Sequence, residues 1–570
     1  MLRLIAQLFV AIVWSLFLPF ALLRRFWPLK KGTYVLVEID GAVADVTPPP
    51  RLLDFRRPRP LSLYALGKIV DAIVEDDRVA GLVVVVKSFR GGMATATSLR
   101  AVLARVRTAR RDLVVHLPNG GGTKELYVAT VASRVYLGPQ ASLAAVGFLS
   151  ATLYVKRALD KAGVGAEVYA EGAYKSAGEQ LVREGMSDAN REQITAILDG
   201  MHGTLVDAIA SGRNVERDRA VALVDDAPYH GERAVAAQLV DATAYEDELP
   251  ARIGGEKPAS IGIAAPYIAS RRALRMRVVL RRPVIGVIPI HGIISGATPL
   301  PFGPMATDER IIAAIRAARA DRRVVGVVLH IDSPGGSALA SDRIHHELVQ
   351  LAAEKPLVAC FADVAASGGY YVAAAAHAIV AQPTTITGSI GVVATRFVLE
   401  PLLSRVGVVT EIIKRGAHAH FLGAALPFDA DDRVVLDREL AAFYRAFVGI
   451  VATGRKRTPA EIEKVAQGRV WTGADAHARA LVDRLGGFDV ALDDVRARIG
   501  RGAAFLEPAI VRAPRRGLPP LDLPRKRANE ILGAAGALLL DAGFDARALV
   551  LAATREPVLA FSADAIAIRS

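Results

Sequence analysis

Cysteine is almost missing from this chain: Cys360 is the single one in 570 residues, so no intramolecular disulfide framework exists. It sits in an apolar run and reads as core packing, not as a reactive thiol. Metal-ligand spacing is absent as well, with no HExxH and no CxxC, so neither a metal nor another cofactor is implied. Basic residues outnumber acidic ones, for a net charge of +13, yet the arginines are scattered and no aromatic-basic platform accompanies them. That argues against a nucleic-acid partner and for attraction to an anionic membrane surface.

Long apolar runs are scarce too. Leu4 to Leu23, interrupted by Gln7 and Ser15, is enough to cross a hydrocarbon core of about 30 Å as a helix. Arg24, Arg25, Trp27, Lys30 and Lys31 follow as interfacial anchors, and no clean small-x-small site follows the run, which favours a retained single-pass anchor over a cleaved signal peptide. More positive charge lies after the run than before it, which by the positive-inside rule would leave the body in the cytoplasm. Ile531 to Leu540 is too short to span and reads as a docking helix.

What is present is an α/β chain that repeats itself. Hydrophobic residues make up 52%, in short, near-continuous apolar strands that alternate with helices, the pattern of parallel βαβ units buried on both faces. YVLVEIDGAV (Tyr34 to Val43) has a counterpart in VIGVIPIHGII (Val284 to Ile294), and Gly81 stands opposite Gly326. From Gly91 and Gly335 the offset is 335 − 91 = 244, and it holds for Tyr127 with Tyr371, Gly147 with Gly391 and Gly172 with Gly416. At 454 − 212 = 242 it resumes, pairing Gly212-Arg213 with Gly454-Arg455 and Leu239-Val240-Asp241 with Leu481-Val482-Asp483. The body is therefore a tandem duplication. The blocks are an anchor at 1–31, a first α/β repeat at 32–250, a linker at 251–280 with a basic cluster, a second repeat at 281–490 and an extension at 491–570.

Chemistry is expected where the two copies differ. Strand residues Val325 to Ile331 end in Asp332, Ser333 and Pro334, followed by Gly335 and Gly336, where a backbone amide can approach a ligand without a Cβ in the way. A second strand, Leu357 to Phe361, leads to Ser367, Gly368 and Gly369 and then a helix start at Tyr371. Strand, glycine turn and helix start expose a hydroxyl beside free amides, so Ser367 is the candidate nucleophile. Its counterpart in copy one is Thr123, followed by Lys124 and Glu125 in place of glycines, and copy one reads as non-nucleophilic.

The base shows the opposite loss. Copy one carries Lys175 in EGAYKSAGE, whereas copy two has Ala419 at that place in RGAHAHFLG. Complementary losses suggest one composite site in which Lys175 serves as general base for Ser367. A basic lysine must be neutral, so its ordinary pKa of about 10.4 has to fall by several units in a dry pocket. Ser389, in TGSIGVV, stands where copy one has Ala145 and is a candidate to hold the lysine amine. His330 and His377 are the rival bases, but no Asp or Glu stands out as their orienter.

DSPGG, ASGGYY, TGSIGV and the lysine of AYKSAGE resemble the motifs of the signal peptide peptidase A family in its long double-domain, protease IV form, over about residues 30–490. The resemblance implies a crotonase-like or Clp-protease-like α/β unit in each half, Ser367 as the acylated nucleophile, Lys175 as the base and Ser389 orienting it. It implies an oxyanion hole from amides near Gly335, Gly336 and Gly368. It further implies cleaved signal peptides as substrates, a homotetramer, and a body on the outer face of the cytoplasmic membrane. The 501–570 extension is outside the family pattern.

Two readings from other classes stay open on the residues alone. An acyl-CoA hydratase or isomerase of the same fold would leave Ser367 dispensable and would bind CoA. A silent membrane scaffold would resist labelling by a serine-directed fluorophosphonate.

Overall fold

The computed structural model describes residues 29–47, 61–264, 267, 282–296, 305–421, 423 and 426–512, with short strands at 559–561 and 568–569. The expected anchor Leu4 to Leu23, most of the basic linker and the run Ile531 to Leu540 lie outside the described residues. Among the described residues, no helix is long and apolar enough to cross a membrane. The fold is mixed α/β and falls into two compact units. One takes in the chain up to Phe148 together with Met201–Pro283; the other takes in Leu149–Gly200 and the chain from Val284.

The first unit is built on a parallel six-stranded sheet in the order Ala242–Thr243, Arg134–Leu137, Asp112–Leu117, Val79–Arg90, Thr33–Ala42, Ile261–Ile263. Leu82 to Val86 are all buried, which is why that strand reads as a continuous apolar run: helices cover both faces of a parallel sheet. Ser62 starts the helix Leu63–Val74 by accepting a hydrogen bond from the Ala65 amide.

The second unit repeats the plan. Val470–Thr472, Ile386–Gly388, Leu357–Ala366, Val324–Ser333, Val284–His291 and Pro508–Ile510 follow one another across its main sheet, with Ala378–Ala381 and Arg484–Leu485 attached at Leu357–Ala366. All pairs are parallel except Ile386–Gly388 with Val470–Thr472. Cys360 is buried in the third of these strands.

The duplication is visible in side-chain detail. Arg213 pairs with Asp241 at 3.0 Å in the first unit, and Arg455 pairs with Asp483 at 2.5 Å in the second. Each aspartate also accepts a backbone amide at the end of a neighbouring strand, from Val135 and Ile379 respectively. An arginine that lines up in sequence thus makes the same contact in each copy.

Three features differ from the sequence-based blocks. The stretch taken as a linker from 251 contributes the edge strand Ile261–Ile263, and Tyr267 within it is buried and donates to the Ala72 carbonyl. Pro508–Ile510 forms the corresponding edge strand of the second sheet, beyond 490. Finally, Leu149–Gly200, part of the first repeat by sequence, belongs to the second compact unit. Its strand Gly165–Glu171 runs antiparallel to Val392–Val398, from Gly165 opposite Val398 to Glu171 opposite Val392. That pairing carries Lys175 to the second unit.

Candidate active site

Ser367 follows the last residue of strand Leu357–Ala366 and precedes helix Gly368–Ala373. Its φ of +52° is a conformation that an L residue with a side chain seldom adopts, and it turns the chain sharply from strand into helix. Ser389, after strand Ile386–Gly388, has φ of +53°. The two turns are joined where the Ser367 amide donates to the Gly388 carbonyl at 2.8 Å. Two serines in strained backbone side by side are the kind of feature that surrounding packing must hold in place.

Lys175 lies in the loop after strand Gly165–Glu171. The loop is held by the segment Gln467–Arg469: the Tyr174 amide donates to the Gln467 carbonyl at 2.8 Å, and the Ala173 amide to Gln467 Oε1 at 3.2 Å. The same segment grips the other side of the site. The Gly468 amide donates to the Ile390 carbonyl and the Ser389 amide to the Arg469 carbonyl. One short stretch therefore sets the lysine loop and the Ser389 turn at a fixed spacing.

The result is a close polar cluster. Lys175 Nζ lies 3.0 Å from each of Ser367 Oγ, Ser389 Oγ and the Ser389 carbonyl oxygen. Lys175 is 5% exposed, Ser389 2% and Ser367 0%. An ammonium can donate to all three oxygens; a neutral amine donates to two and accepts the Ser367 hydroxyl proton with its lone pair. Only in the second state could the amine act as a base toward Ser367.

A further layer carries no signature in the sequence. Gln193 is 1% exposed; its Nε2 donates to the Tyr174 carbonyl at 3.2 Å and to Ser176 Oγ at 3.0 Å, while its Oε1 accepts the Val470 amide at 3.1 Å. Nothing in its helical surroundings distinguishes it. Gly468 was legible: at the offset of 242 it faces Asp226 in copy one, a difference between the copies of the kind that singled out Lys175.

The other candidates separate clearly. The Gly335 amide donates to Ser333 Oγ at 3.2 Å. Gly336 is needed for close approach, because a Cβ there would stand 2.0 Å from the Ile294 carbonyl oxygen. Gly368 opens its helix, where an amide has no acceptor within the helix. Thr123 Oγ1 donates to the Gly147 carbonyl at 3.0 Å, buried in the first unit. Among the rival bases, His330 Nδ1 lies 2.7 Å from His291 Nε2, and His377 Nδ1 meets the backbone of Leu357. In copy two, the counterpart of the lysine loop holds His418 and His420 instead, each 2.7 Å from an oxygen of buried Asp432.

Comparison with known proteins adds the following. A family model described as Peptidase family S49 matches residues 107–258 and 349–500. Serine protease SPPA, chloroplastic, of Arabidopsis thaliana is 31% identical over 476 residues, covering 81% of this chain and 69% of that protein. Protease 4 of Salmonella typhi is 34% identical over 452 residues, covering 75% of this chain and 71% of that protein. Protease 4 of Haemophilus influenzae is 27% identical over 452 residues, covering 76% and 73%.

Proposed function

Since the chain belongs to peptidase family S49 and is a serine protease of the signal peptide peptidase A type, we propose that it cleaves peptides with a serine-lysine dyad of Ser367 and Lys175. The observation that carries this reading is the 3.0 Å approach of Lys175 Nζ to Ser367 Oγ, both side chains being buried.

In the proposed cycle, neutral Lys175 takes the Ser367 proton as Oγ attacks the scissile carbonyl. Ser389 holds the amine through its hydroxyl and its carbonyl, so the lone pair points at Ser367 and not elsewhere. The amides of Gly336 and Gly368 are the proposed donors to the developing oxyanion. The protonated lysine then gives its proton to the leaving amine, and the acyl-enzyme forms. Lys175, neutral again, activates the water that clears the ester.

Substrates are proposed to be cleaved signal peptides and similar small-residue, apolar peptides, met at the membrane by a body tethered through Leu4 to Leu23. Assembly as a homotetramer and a body on the outer face of the cytoplasmic membrane belong to the same reading, and both rest on the family resemblance. The test is hydrolysis of an apolar peptide by the parent, Ser367→Ala and Lys175→Ala proteins, read beside fluorophosphonate labelling of Ser367. Activity close to the parent's in either variant would sink the dyad.

A further inference from the structure

The backbone around Lys175 is gripped from two sides. On one side the Tyr174 amide donates to the Gln467 carbonyl; on the other the Tyr174 carbonyl accepts Gln193 Nε2 at 3.2 Å. The same Nε2 donates to Ser176 Oγ at 3.0 Å, so one amide group reaches both the residue before the lysine and the residue after it. Its third acceptor is Asn190 Oδ1 at 3.0 Å, one turn earlier on helix Asp188–Arg213.

The other half of the Gln193 amide faces a different segment. Its Oε1 accepts the Val470 amide at 3.1 Å. Val470 stands opposite Gly388 in the antiparallel pair of Val470–Thr472 with Ile386–Gly388, and the Gly388 carbonyl takes the Ser367 amide. Only one orientation of the side chain serves both ends, because a carbonyl can only accept and a backbone N–H can only donate. Gln193 thus holds the lysine loop with its donor half and, with its acceptor half, the strand beside both serine turns.

Glu192 makes a second bridge between the same segments: its Oε2 accepts the Tyr174 hydroxyl at 3.0 Å, and its Oε1 lies 2.7 Å from Arg469 Nη1. Its side chain is more than half exposed, so water screens that contact and can replace it. Gln193 is buried, and groups that lose a buried partner have no such substitute.

We propose that Gln193 is a positioning residue, whose buried amide sets the spacing between Lys175 Nζ and Ser367 Oγ by tying the lysine loop to Val470. The proposal rests on the catalytic reading given above. The internal comparison agrees with it. The long helices Asp188–Arg213 and Ala430–Arg455 end in register at the offset of 242, and there Gln193 faces Val435, since 435 − 193 = 242. Many positions of the two helices differ, so the exchange selects nothing by itself; with the contacts known, the copy that lacks the lysine also lacks the amide that would hold it.

The experiment measures hydrolysis of an apolar peptide by the parent, Gln193→Met and Gln193→Ala proteins. Methionine keeps the length without the amide. Alanine leaves room for water to pair with the Val470 amide and the Tyr174 carbonyl, so it serves if the methionine protein folds poorly. Since a misplacement of about 1 Å costs roughly 10²-fold, kcat should fall about 10- to 100-fold in both, with KM within about twofold of the parent's. The rate of fluorophosphonate labelling of Ser367 gives the second readout. Each Gln193 change should slow labelling in the parent background and slow it no further in Lys175→Ala, where the amine it acts through is gone. A merely structural glutamine would slow both backgrounds alike. Parent-like kcat in a folded Gln193 variant, or equal slowing in both backgrounds, overturns the proposal. Parent-like hydrolysis by Lys175→Ala itself overturns the dyad and the positioning role together, whereas an inactive Lys175→Ala beside parent-like Gln193 variants overturns the positioning role alone.

Discussion

Gly468 lacks a side chain where Lys175 needs the space: a Cβ built on Gly468 would stand 2.6 Å from the Lys175 Cβ and 2.6 Å from its backbone nitrogen. Its φ of +73° is also one that a residue with a Cβ adopts at a cost. Gly468→Ala is therefore expected to push the lysine loop off the serine more than to unfold the protein. A displacement of about 1 Å at a reacting group lowers kcat by roughly 10²-fold. The check is kcat against KM for an apolar peptide, with circular dichroism to show the fold retained; an unaltered kcat would mean the contact does not set the amine's position.

Removing either member of the dyad should cost at least about 10³-fold in kcat, because groups that act as a unit lose nearly everything when one is removed. Lys175→Arg is expected to be as inactive as Lys175→Ala, since a guanidinium stays protonated and cannot accept the hydroxyl proton. Pre-steady-state release of the first product would report acylation directly.

Ser389 contributes a hydroxyl and a carbonyl to Lys175, and only the hydroxyl is lost in Ser389→Ala. The expected loss is smaller than for the dyad, about 10- to 100-fold in kcat, from one missing hydrogen bond of roughly 1.5–3 kcal/mol to a charged or developing charge. Glycine at this position suits the φ of +53° but lacks the hydroxyl, so Ser389→Gly should be no more active than Ser389→Ala, and a recovered rate would assign Ser389 to backbone conformation alone.

Thr123 tests the asymmetry of the copies. Its hydroxyl is buried and satisfied by the Gly147 carbonyl, so Thr123→Ala leaves an acceptor without that donor and should cost about 1–3 kcal/mol of stability. Thermal unfolding should register the change while peptide hydrolysis at low temperature stays at the parent level. A large loss of activity in a folded Thr123→Ala protein would contradict the assignment of chemistry to one copy.

Asp432 supplies a pH test. Burial opposes its ionisation, but hydrogen bonding from His418, the Asp429 amide and His420 outweighs that and brings the carboxyl down to about 2. A carboxyl whose folded value is depressed adds stability above its unfolded value of about 3.9 and loses it as the pH falls toward the folded one. The difference in melting temperature between the parent and Asp432→Asn should thus be full at pH 5 and shrink between about pH 4 and pH 2. A gap that does not narrow would show that the histidine contacts do not stabilise the ionised form.

Much of the site could be read before any coordinates. Ser367 and Lys175 stood out because a duplicated chain supplies its own comparison, and each residue is present in one copy and absent from the other. The same comparison, carried on to 468 and 226, would have exposed Gly468. The edge strands Ile261–Ile263 and Pro508–Ile510 escaped notice because three residues show no periodicity, and their pairing depends on where the first strand of each sheet lies. Gln193 was invisible for a related reason: a glutamine on a helix declares its role only once its amide is seen bridging the Tyr174 carbonyl and the Val470 amide.

By itself the sequence determined the repeated α/β units, the loss of the serine from one and of the lysine from the other, and the residue types that such chemistry demands. These are local matters of periodicity, glycine and side-chain identity. Tertiary structure alone decided that residues 192 positions apart meet at 3.0 Å, and that Leu559–Phe561 lies beside Gly336. Both facts follow from strand pairing between distant segments, and backbone hydrogen bonds of that kind leave almost no trace in the side chains that a sequence records.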